Sequence, residues 1–144
     1  MTKSQQVTPY QTARPNQKSD ASTLLRELVL RQARAWEQNN LELALDDWHP
    51  EGILVSPAGA WKISELAAEM TKLHRDYCDL VIDIKNIFAT ADGTRLAVEW
   101  DWTITRRSDG LTGTTPDAII AELNSDGRIL SWREYFDLST SVET

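Results

Sequence analysis

The strongest structural signal in the sequence is an alternation of apolar and polar residues along residues 95–138. Turn-forming residues at 106–110 and 124–127 divide this stretch into three arms. In the first arm, 96–105, one face carries four apolar residues, namely Val98, Trp100, Trp102 and Ile104. A period of two residues is typical of a half-buried strand. The pattern therefore predicts a meander of three antiparallel strands joined by short turns.

Helical periodicity dominates the chain before the meander. A stripe of apolar residues at spacings of three and four predicts a helix that begins at Asp20 or Ser22 and ends near Asn39. The elements predicted to follow are a short helix over 41–48, a strand over 53–56, a helix from Ser64 to about Tyr77 and a strand over 79–88. On the last strand, Leu80, Ile82, Ile84 and Phe88 share one face. The order predicts an α+β fold, with three helices covering one face of a curved antiparallel sheet.

The domain organisation follows from where apolar residues occur. Residues 1–19 are polar, contain Pro9 and Pro15, and carry almost no aliphatic side chains. Such a segment cannot bury enough surface to offset its ordering entropy, which predicts a disordered tail. Residues 20–144 are predicted to form a single domain.

Composition and charge narrow the possible partners. A net charge of −7 and an isoelectric point near 4.8 argue against nucleic acid as a partner, because its phosphates bind basic surfaces. Because no apolar run approaches the ~20 residues of a membrane span, no membrane partner is expected. His49 and His74 have no cluster of metal ligands near them in sequence, so neither a metal nor another cofactor is expected. The lone Cys78 fits a reducing, cytoplasmic location.

The six tryptophans are the unusual feature of the composition. Each is a large amphipathic surface that serves either a core or a ligand pocket. Three chain segments with tryptophan then resemble a known family: Trp48-His-Pro-Glu-Gly, Trp61-Lys-Ile-Ser-Glu-Leu and Gly127-Arg-Ile-Leu-Ser-Trp-Arg-Glu-Tyr-Phe-Asp. Over residues 24–138, the chain resembles the NTF2-like superfamily, in particular SnoaL-like polyketide cyclases and limonene-epoxide-hydrolase-like proteins. The resemblance implies a cone with a deep pocket between sheet and helices, and a homodimer.

The same resemblance singles out Glu134 as a candidate general acid or base. In these branches, an acidic residue directly after Trp-Arg on the last strand points into the pocket. Physically, a carboxyl group inside an apolar cone is desolvated, and desolvation favours its protonated form. Asp117 is a second candidate. Two neighbouring carboxyl groups push each other's pKa values apart, so that one can act as the acid and the other as the base. For each residue the competing interpretation is a carboxylate at the rim of the sheet.

The departures from the epoxide-hydrolase pattern are informative. An ungapped alignment puts Trp100 and Trp102 where those enzymes have an Arg-x-Asp, whereas a gapped alignment keeps Asp101 but puts Glu99 in the arginine position. Either way the arginine is missing, so that hydrolytic mechanism is disfavoured. Two tryptophans in water would form a large apolar patch, which favours the ungapped alignment unless a dimer interface covers them.

The predicted ligand-binding residues lie on the helical stripes and inner strand faces: Trp36, Leu54, Ser56, Met70, Leu73, Trp100, Trp102, Ile119, Trp132 and Phe136. The sequence thus predicts a pocket for a hydrophobic small molecule. A cofactor-independent enzyme with Glu134 as acid or base is slightly favoured, of the cyclase, isomerase, dehydratase or hydrolase type. The alternative is a binding or dimerisation module without catalysis. Arg133 and Tyr135 are predicted on the outer sheet face, where they would anchor a homodimer.

Overall fold

The computed structural model describes residues 17–143, and the side chains of residues 21–143. It contains three α-helices, six strands and one 3₁₀ turn. The helices are α1 (Gln17–Glu37), α2 (Leu41–Asp46) and α3 (Ile63–Asp76). The strands are β1 (Trp48–Ser56), β2 (Gly59–Lys62), β3 (Tyr77–Ala89), β4 (Arg95–Arg106), β5 (Thr112–Leu123) and β6 (Ile129–Tyr135), and the turn is Leu138–Thr140.

The six strands form one sheet in the order β2-β1-β6-β5-β4-β3. The meander prediction is confirmed, since β3 to β6 pair with their sequence neighbours in antiparallel fashion. The prediction of a wholly antiparallel sheet is wrong, because β1 lies parallel to β6, with Leu54 opposite Trp132. Sequence patterns do not report this pairing, since it joins strands far apart in the chain. The α+β class is confirmed.

The first two helices differ slightly from their predicted bounds. Helix α1 begins at Gln17 rather than Asp20 or Ser22, and the predicted tail otherwise falls on residues 1–16, outside the described part of the chain. Asn40 caps α2 by accepting a hydrogen bond from the backbone N–H of Leu43 at 3.0 Å. That helix ends at Asp46 instead of Trp48, so the tryptophan opens strand β1.

Sequence reasoning missed strand β2, which pairs with the end of β1 as a hairpin. Helix α3 begins at Ile63, and Ser64 lies inside it instead of capping it. The Glu65 carboxylate accepts the Lys62 backbone N–H at 2.8 Å and satisfies one of the otherwise unpaired donors at this end.

Strand β3 does not keep one alternation throughout. Leu80 and Ile82 are buried as predicted, but Phe88 is 60% exposed. A bulge between Ile84 and Asn86 adds one residue to the strand and moves every later side chain to the opposite face. The prediction that Phe88 shares the inner face is therefore wrong.

The core lies between the inner face of the sheet and the apolar stripe of α1. Leu25, Leu28 and Val29 of the helix are each at most 4% exposed and pack against the inner residues of the meander. At Gly52, an added Cβ atom would come within 2.5 Å of the Trp48 ring, so only glycine allows this close approach. Among residues 17–143, no helix combines the length and the apolar character needed to cross a bilayer.

Candidate functional site

A cavity of about 160 Å³ opens between the inner face of the sheet and helices α1 and α3. All six tryptophans of the chain contribute to its wall. Its lining comprises Gln32, Trp36, Trp48, Leu54, Ser56, Ala58, Trp61, Leu66, Glu69, Leu73, Trp100, Trp102, Thr115, Asp117, Trp132, Glu134, Phe136, Ser141 and Glu143. The tryptophans thus form a largely apolar wall into which a few polar groups project, an arrangement typical of small-molecule sites.

Strand β4 turns its tryptophan face toward this cavity. Trp100 is 3% exposed, whereas Glu99 on the opposite face is exposed and accepts a hydrogen bond from Asn86 at 2.7 Å. The face favoured by the ungapped alignment is therefore the inner one. Trp100 also contacts Trp132 of β6, with their ring centroids 6.0 Å apart and the planes tilted by 43°.

Asp117 lies on β5 directly opposite Trp100 in the strand register. The Trp100 indole N–H donates to Oδ2 of Asp117 at 3.3 Å. The aspartate is only 7% exposed, and its other oxygen, Oδ1, is buried without a hydrogen-bond partner. A buried carboxyl group of this kind lies on the wall of the cavity, not at the rim of the sheet.

Glu134 lies on β6 opposite Ile119, one diagonal step from Asp117. Its Oε2 atom accepts the Trp132 indole N–H at 2.8 Å. The two carboxyl groups come close enough to interact electrostatically. Burial and the negative charge of Glu134 both raise the pKa of Asp117 far above its ordinary value.

Gln32 connects helix α1 to the cavity wall. Its Nε2 donates to the backbone oxygen of Ala44 at 2.8 Å and to Oδ2 of Asp47 at 3.3 Å. Its Oε1 accepts the Trp48 indole N–H at 3.3 Å. Arg31 pairs with the same aspartate at 2.9 Å. This network fixes Trp48 in place at the inner end of the site.

Residues 137–143, here called the strap, follow the last strand and contribute Ser141 and Glu143 to the cavity lining. The backbone oxygen of Val142 accepts hydrogen bonds from the Tyr77 hydroxyl at 3.3 Å and from Arg106 Nη1 at 3.1 Å. Gly113 makes room for the Val142 side chain, since an added Cβ atom there would lie 2.5 Å from Val142 Cγ1. These contacts carry Glu143 to the cavity lining.

Glu143 as a whole is exposed to solvent, but it also forms part of the cavity lining. Burial raises the pKa of this carboxyl group to about 7, with a further rise from the charge of Glu134 and a partial offset from the Trp102 indole. No sequence signal identifies Glu143, because nothing in the local pattern shows where the strap runs.

The structure brings most of the predicted site residues together. The cavity is lined by the two predicted carboxyl groups and by Trp36, Leu54, Ser56, Leu73, Trp100, Trp102, Trp132 and Phe136. Met70 and Ile119 do not line it and are corrections. Met70 is 1% exposed and packs between α1 and α2 against Ala35 and Ala44, while Ile119 is fully buried in the main core.

Three residues outside the cavity, His74, Arg106 and Arg107, make contacts that hold the fold together. Nε2 of His74 lies 2.6 Å from the backbone oxygen of Trp36, which joins the end of α3 to α1. Arg107 donates to the backbone oxygen of His74 at 3.1 Å, and Arg106 pairs with Asp109 at 2.7 Å. None of these three residues belongs to the cavity lining.

Comparison with known proteins supplies a family and several structural neighbours. The SnoaL-like domain model matches residues 29–132. Among curated proteins, none matches this chain. A candidate polyketide cyclase from Xanthomonas campestris has a TM-score of 0.73 at 17% identity, covering 85% of this chain and 94% of its own.

Two further neighbours share the fold at low identity. A hypothetical protein from Catenulispora acidiphila with a ketosteroid-isomerase-like fold, in complex with trimethylamine, has a TM-score of 0.72 at 16% identity, with 81% and 90% of the two chains covered. An NTF2-like protein from Burkholderia pseudomallei has a TM-score of 0.69 at 15% identity, with 79% and 91% covered. The predicted NTF2-like, SnoaL-like fold is thereby confirmed.

Proposed function

Because the chain belongs to the SnoaL-like domain family, we propose that it binds a small hydrophobic molecule in the tryptophan-lined cavity and transfers a proton on it. The observation that carries this proposal is the approach of two carboxyl groups, Asp117 and Glu134, on the wall of the cavity. Such a pair supports isomerisation, cyclisation, dehydration or hydrolysis without a cofactor. The low identity to the structural neighbours contributes the fold alone to this argument.

The environments of the two carboxyl groups suggest separate roles. The pKa of Asp117 is raised by burial and by the charge of Glu134, so Asp117 holds a proton and acts as the general acid. Glu134 accepts a hydrogen bond from the Trp132 indole N–H, which stabilises a carboxylate, and it acts as the general base. A substrate between them would give up one proton and receive another.

The size of the cavity points to a small substrate. Its volume of about 160 Å³ is close to the roughly 150 Å³ of an engineered cavity that binds benzene. One or two small rings with a short substituent therefore fit this volume, whereas a skeleton of three or four fused rings exceeds it.

A specific observation favours the alternative, a binding module without catalysis. Apart from the two carboxyl groups, the lining of the cavity contains no lysine, arginine or histidine that could complete an acid–base constellation. In this alternative, Asp117 and Glu134 would only bind polar groups of the ligand. Rate measurements separate the two functions.

The test uses a reaction that reports general-base catalysis without knowledge of the natural substrate. In nitrobenzisoxazole, a base removes the ring C–H proton, the N–O bond breaks, and a coloured nitrile phenolate is released. We expect the wild type to accelerate this reaction, Glu134→Gln to slow it by about 10²-fold or more, and Asp117→Asn to slow it less. The matched control is Glu122→Gln, on the outer face of β5, which should keep the wild-type rate. Saturable binding of the probe without any acceleration by the wild type would establish the binding module instead.

The outer face of the sheet is proposed as a homodimer interface. Tyr135 is 57% exposed there, and Arg133 pairs with Glu122 at 3.1 Å beside it. Aromatic and arginine side chains are frequent anchors of interfaces. We expect light scattering at micromolar concentration to give the mass of a dimer, and Tyr135→Glu to give the mass of a monomer. A monomeric wild type would contradict this arrangement.

A cytoplasmic location belongs to the same proposal. Cys78 carries a free thiol, and free thiols persist in reducing compartments. The proposed reaction also needs no cofactor from another compartment.

A further inference from the structure

Acidic side chains accumulate in the cavity without a basic side chain beside them. Four acidic residues belong to its lining, Glu69, Asp117, Glu134 and Glu143, and no basic residue among positions 21–143 does. Across residues 21–143, none of these four takes part in an ion pair. Arginines elsewhere in the fold form salt bridges with other acidic residues: Arg31 with Asp47, Arg106 with Asp109 and Arg133 with Glu122. Carboxylates in an apolar cavity are unfavourable unless they take up protons or a positive charge joins them.

A second observation points to a missing hydrogen-bond donor. The side chain of Asp117 is more than nine-tenths buried, and its Oδ1 has no partner although it lies on the cavity wall. Buried acceptors in folded proteins are almost always hydrogen-bonded. A ligand with N–H groups would supply the donor that the protein does not.

The aromatic wall favours a cation as well. The Trp132 ring lies 6.0 Å from Trp100 and 6.4 Å from Trp48, measured between centroids. Tryptophan is the best aromatic partner for an ammonium group, since the faces of its ring carry negative charge. The same rings accept the apolar body of a ligand, so charge and hydrophobic contact are satisfied in one place.

The donor arrangement disfavours a metal ion as the missing cation. Within the described residues, no three or more His, Cys, Asp or Glu side chains are grouped so that they could hold a metal. An organic cation is larger and needs no such compact shell, because it can contact carboxyl groups that are spread along the wall.

We propose that the ligand of this cavity is a small hydrophobic amine, bound as its ammonium ion between Glu134 and Glu143 with its apolar part against the tryptophans. This inference rests on the proposed function of a small-molecule pocket and adds the charge of the ligand. The strap then acts as a specificity element, because it contributes Glu143 to the site, whereas Glu134 comes from the sheet. An ammonium group here would also place an N–H donor within the reach of Asp117.

The test compares three ligands of nearly equal size and different charge by isothermal titration calorimetry. At about pH 8, benzylamine is a cation, benzyl alcohol is neutral and benzoate is an anion. We expect benzylamine to bind at least about tenfold more tightly than benzyl alcohol, and benzoate to bind more weakly than both. Glu143→Gln should reduce the preference for benzylamine over the alcohol severalfold. The control Glu122→Gln should change neither affinity.

The outcomes separate the two proposals. Equal affinities for benzylamine and benzyl alcohol, or tighter binding of benzoate, would overturn the amine inference and leave the small-molecule pocket intact. Failure of all three ligands to bind would overturn the pocket function itself. A preference for benzylamine that survives Glu143→Gln but is lost in Glu134→Gln would support the amine and remove the strap from its recognition.

Discussion

Asp117→Asn is expected to make the folded protein more stable than the wild type at neutral pH, by an amount on the order of 3 kcal/mol. The pKa of Asp117 is raised, mainly by burial and then by the charge of Glu134. Asparagine removes the titrating group, and its side-chain oxygen can still accept the Trp100 indole N–H. Its amide nitrogen would also offer Glu134 a hydrogen-bond donor at every pH.

The sign of this pH dependence follows from proton linkage. A carboxyl group with a raised pKa binds its proton more tightly in the folded than in the unfolded protein. Its contribution to stability is complete below the unfolded pKa of about 3.9 and is lost as the pH rises toward the folded value. The advantage of Asp117→Asn should therefore be absent near pH 4 and grow as the pH increases.

Urea unfolding of the two proteins between about pH 4 and pH 8 measures this difference. The control is Asp101→Asn, on the outer face of the neighbouring strand, where no comparable gain is expected. If Asp117→Asn were less stable than the wild type at neutral pH, Asp117 would have to be an ionised and stabilised carboxylate, and its role as general acid would fail.

Gln32→Leu is expected to lower the free energy of unfolding by about 3 kcal/mol. Leucine has a similar size but cannot replace the hydrogen bonds from Gln32 to the Ala44 oxygen and to Asp47. It would also leave the Trp48 indole N–H without its acceptor. Gln32 is only 2% exposed, so water does not readily reach these groups.

Urea unfolding with an unchanged slope would identify the loss as one of stability. The matched control is Gln38→Leu, an exposed glutamine after the end of α1, where a change within about 0.5 kcal/mol is expected. A similarly small effect at Gln32 would show that the network contributes little to the fold. Because Gln32 also helps to position Trp48, the variant should bind the small probe ligands more weakly.

The sequence predicted the meander well because its strands are joined locally and each keeps a period of two. The same periodicity put Trp100 and Trp102 on one face but left open whether that face or the opposite one lines the cavity, and it did not decide between a rim and an inner position for Asp117. The prediction failed at Phe88, because a bulge after Ile84 moves the later side chains of the strand to the opposite face of the sheet. No glycine or proline at this point of the sequence indicates the bulge. The periodicity also could not reveal the parallel pairing of β1 with β6, which depends on contacts between distant parts of the chain.

Some residues of the candidate site could likewise be predicted from the sequence, and others could not. Residues on strand faces, such as Glu134 and Trp132, could be predicted because periodicity and the family resemblance both apply to them. Met70 shares a helical stripe with residues of the cavity, but its side chain fills the gap between α1 and α2, and spacing alone does not show this. Glu143 reaches the cavity only because the strap is held by Tyr77 and Arg106.

The location of all six tryptophans on one cavity wall gives the protein a built-in optical reporter. Indole emission responds to the polarity and the charge around the ring, and here no tryptophan elsewhere in the chain dilutes the signal. Entry of a ligand, or displacement of the strap, should therefore change the intrinsic fluorescence of the unlabelled protein strongly. A library of small molecules can be screened on that signal alone, before any substrate is known.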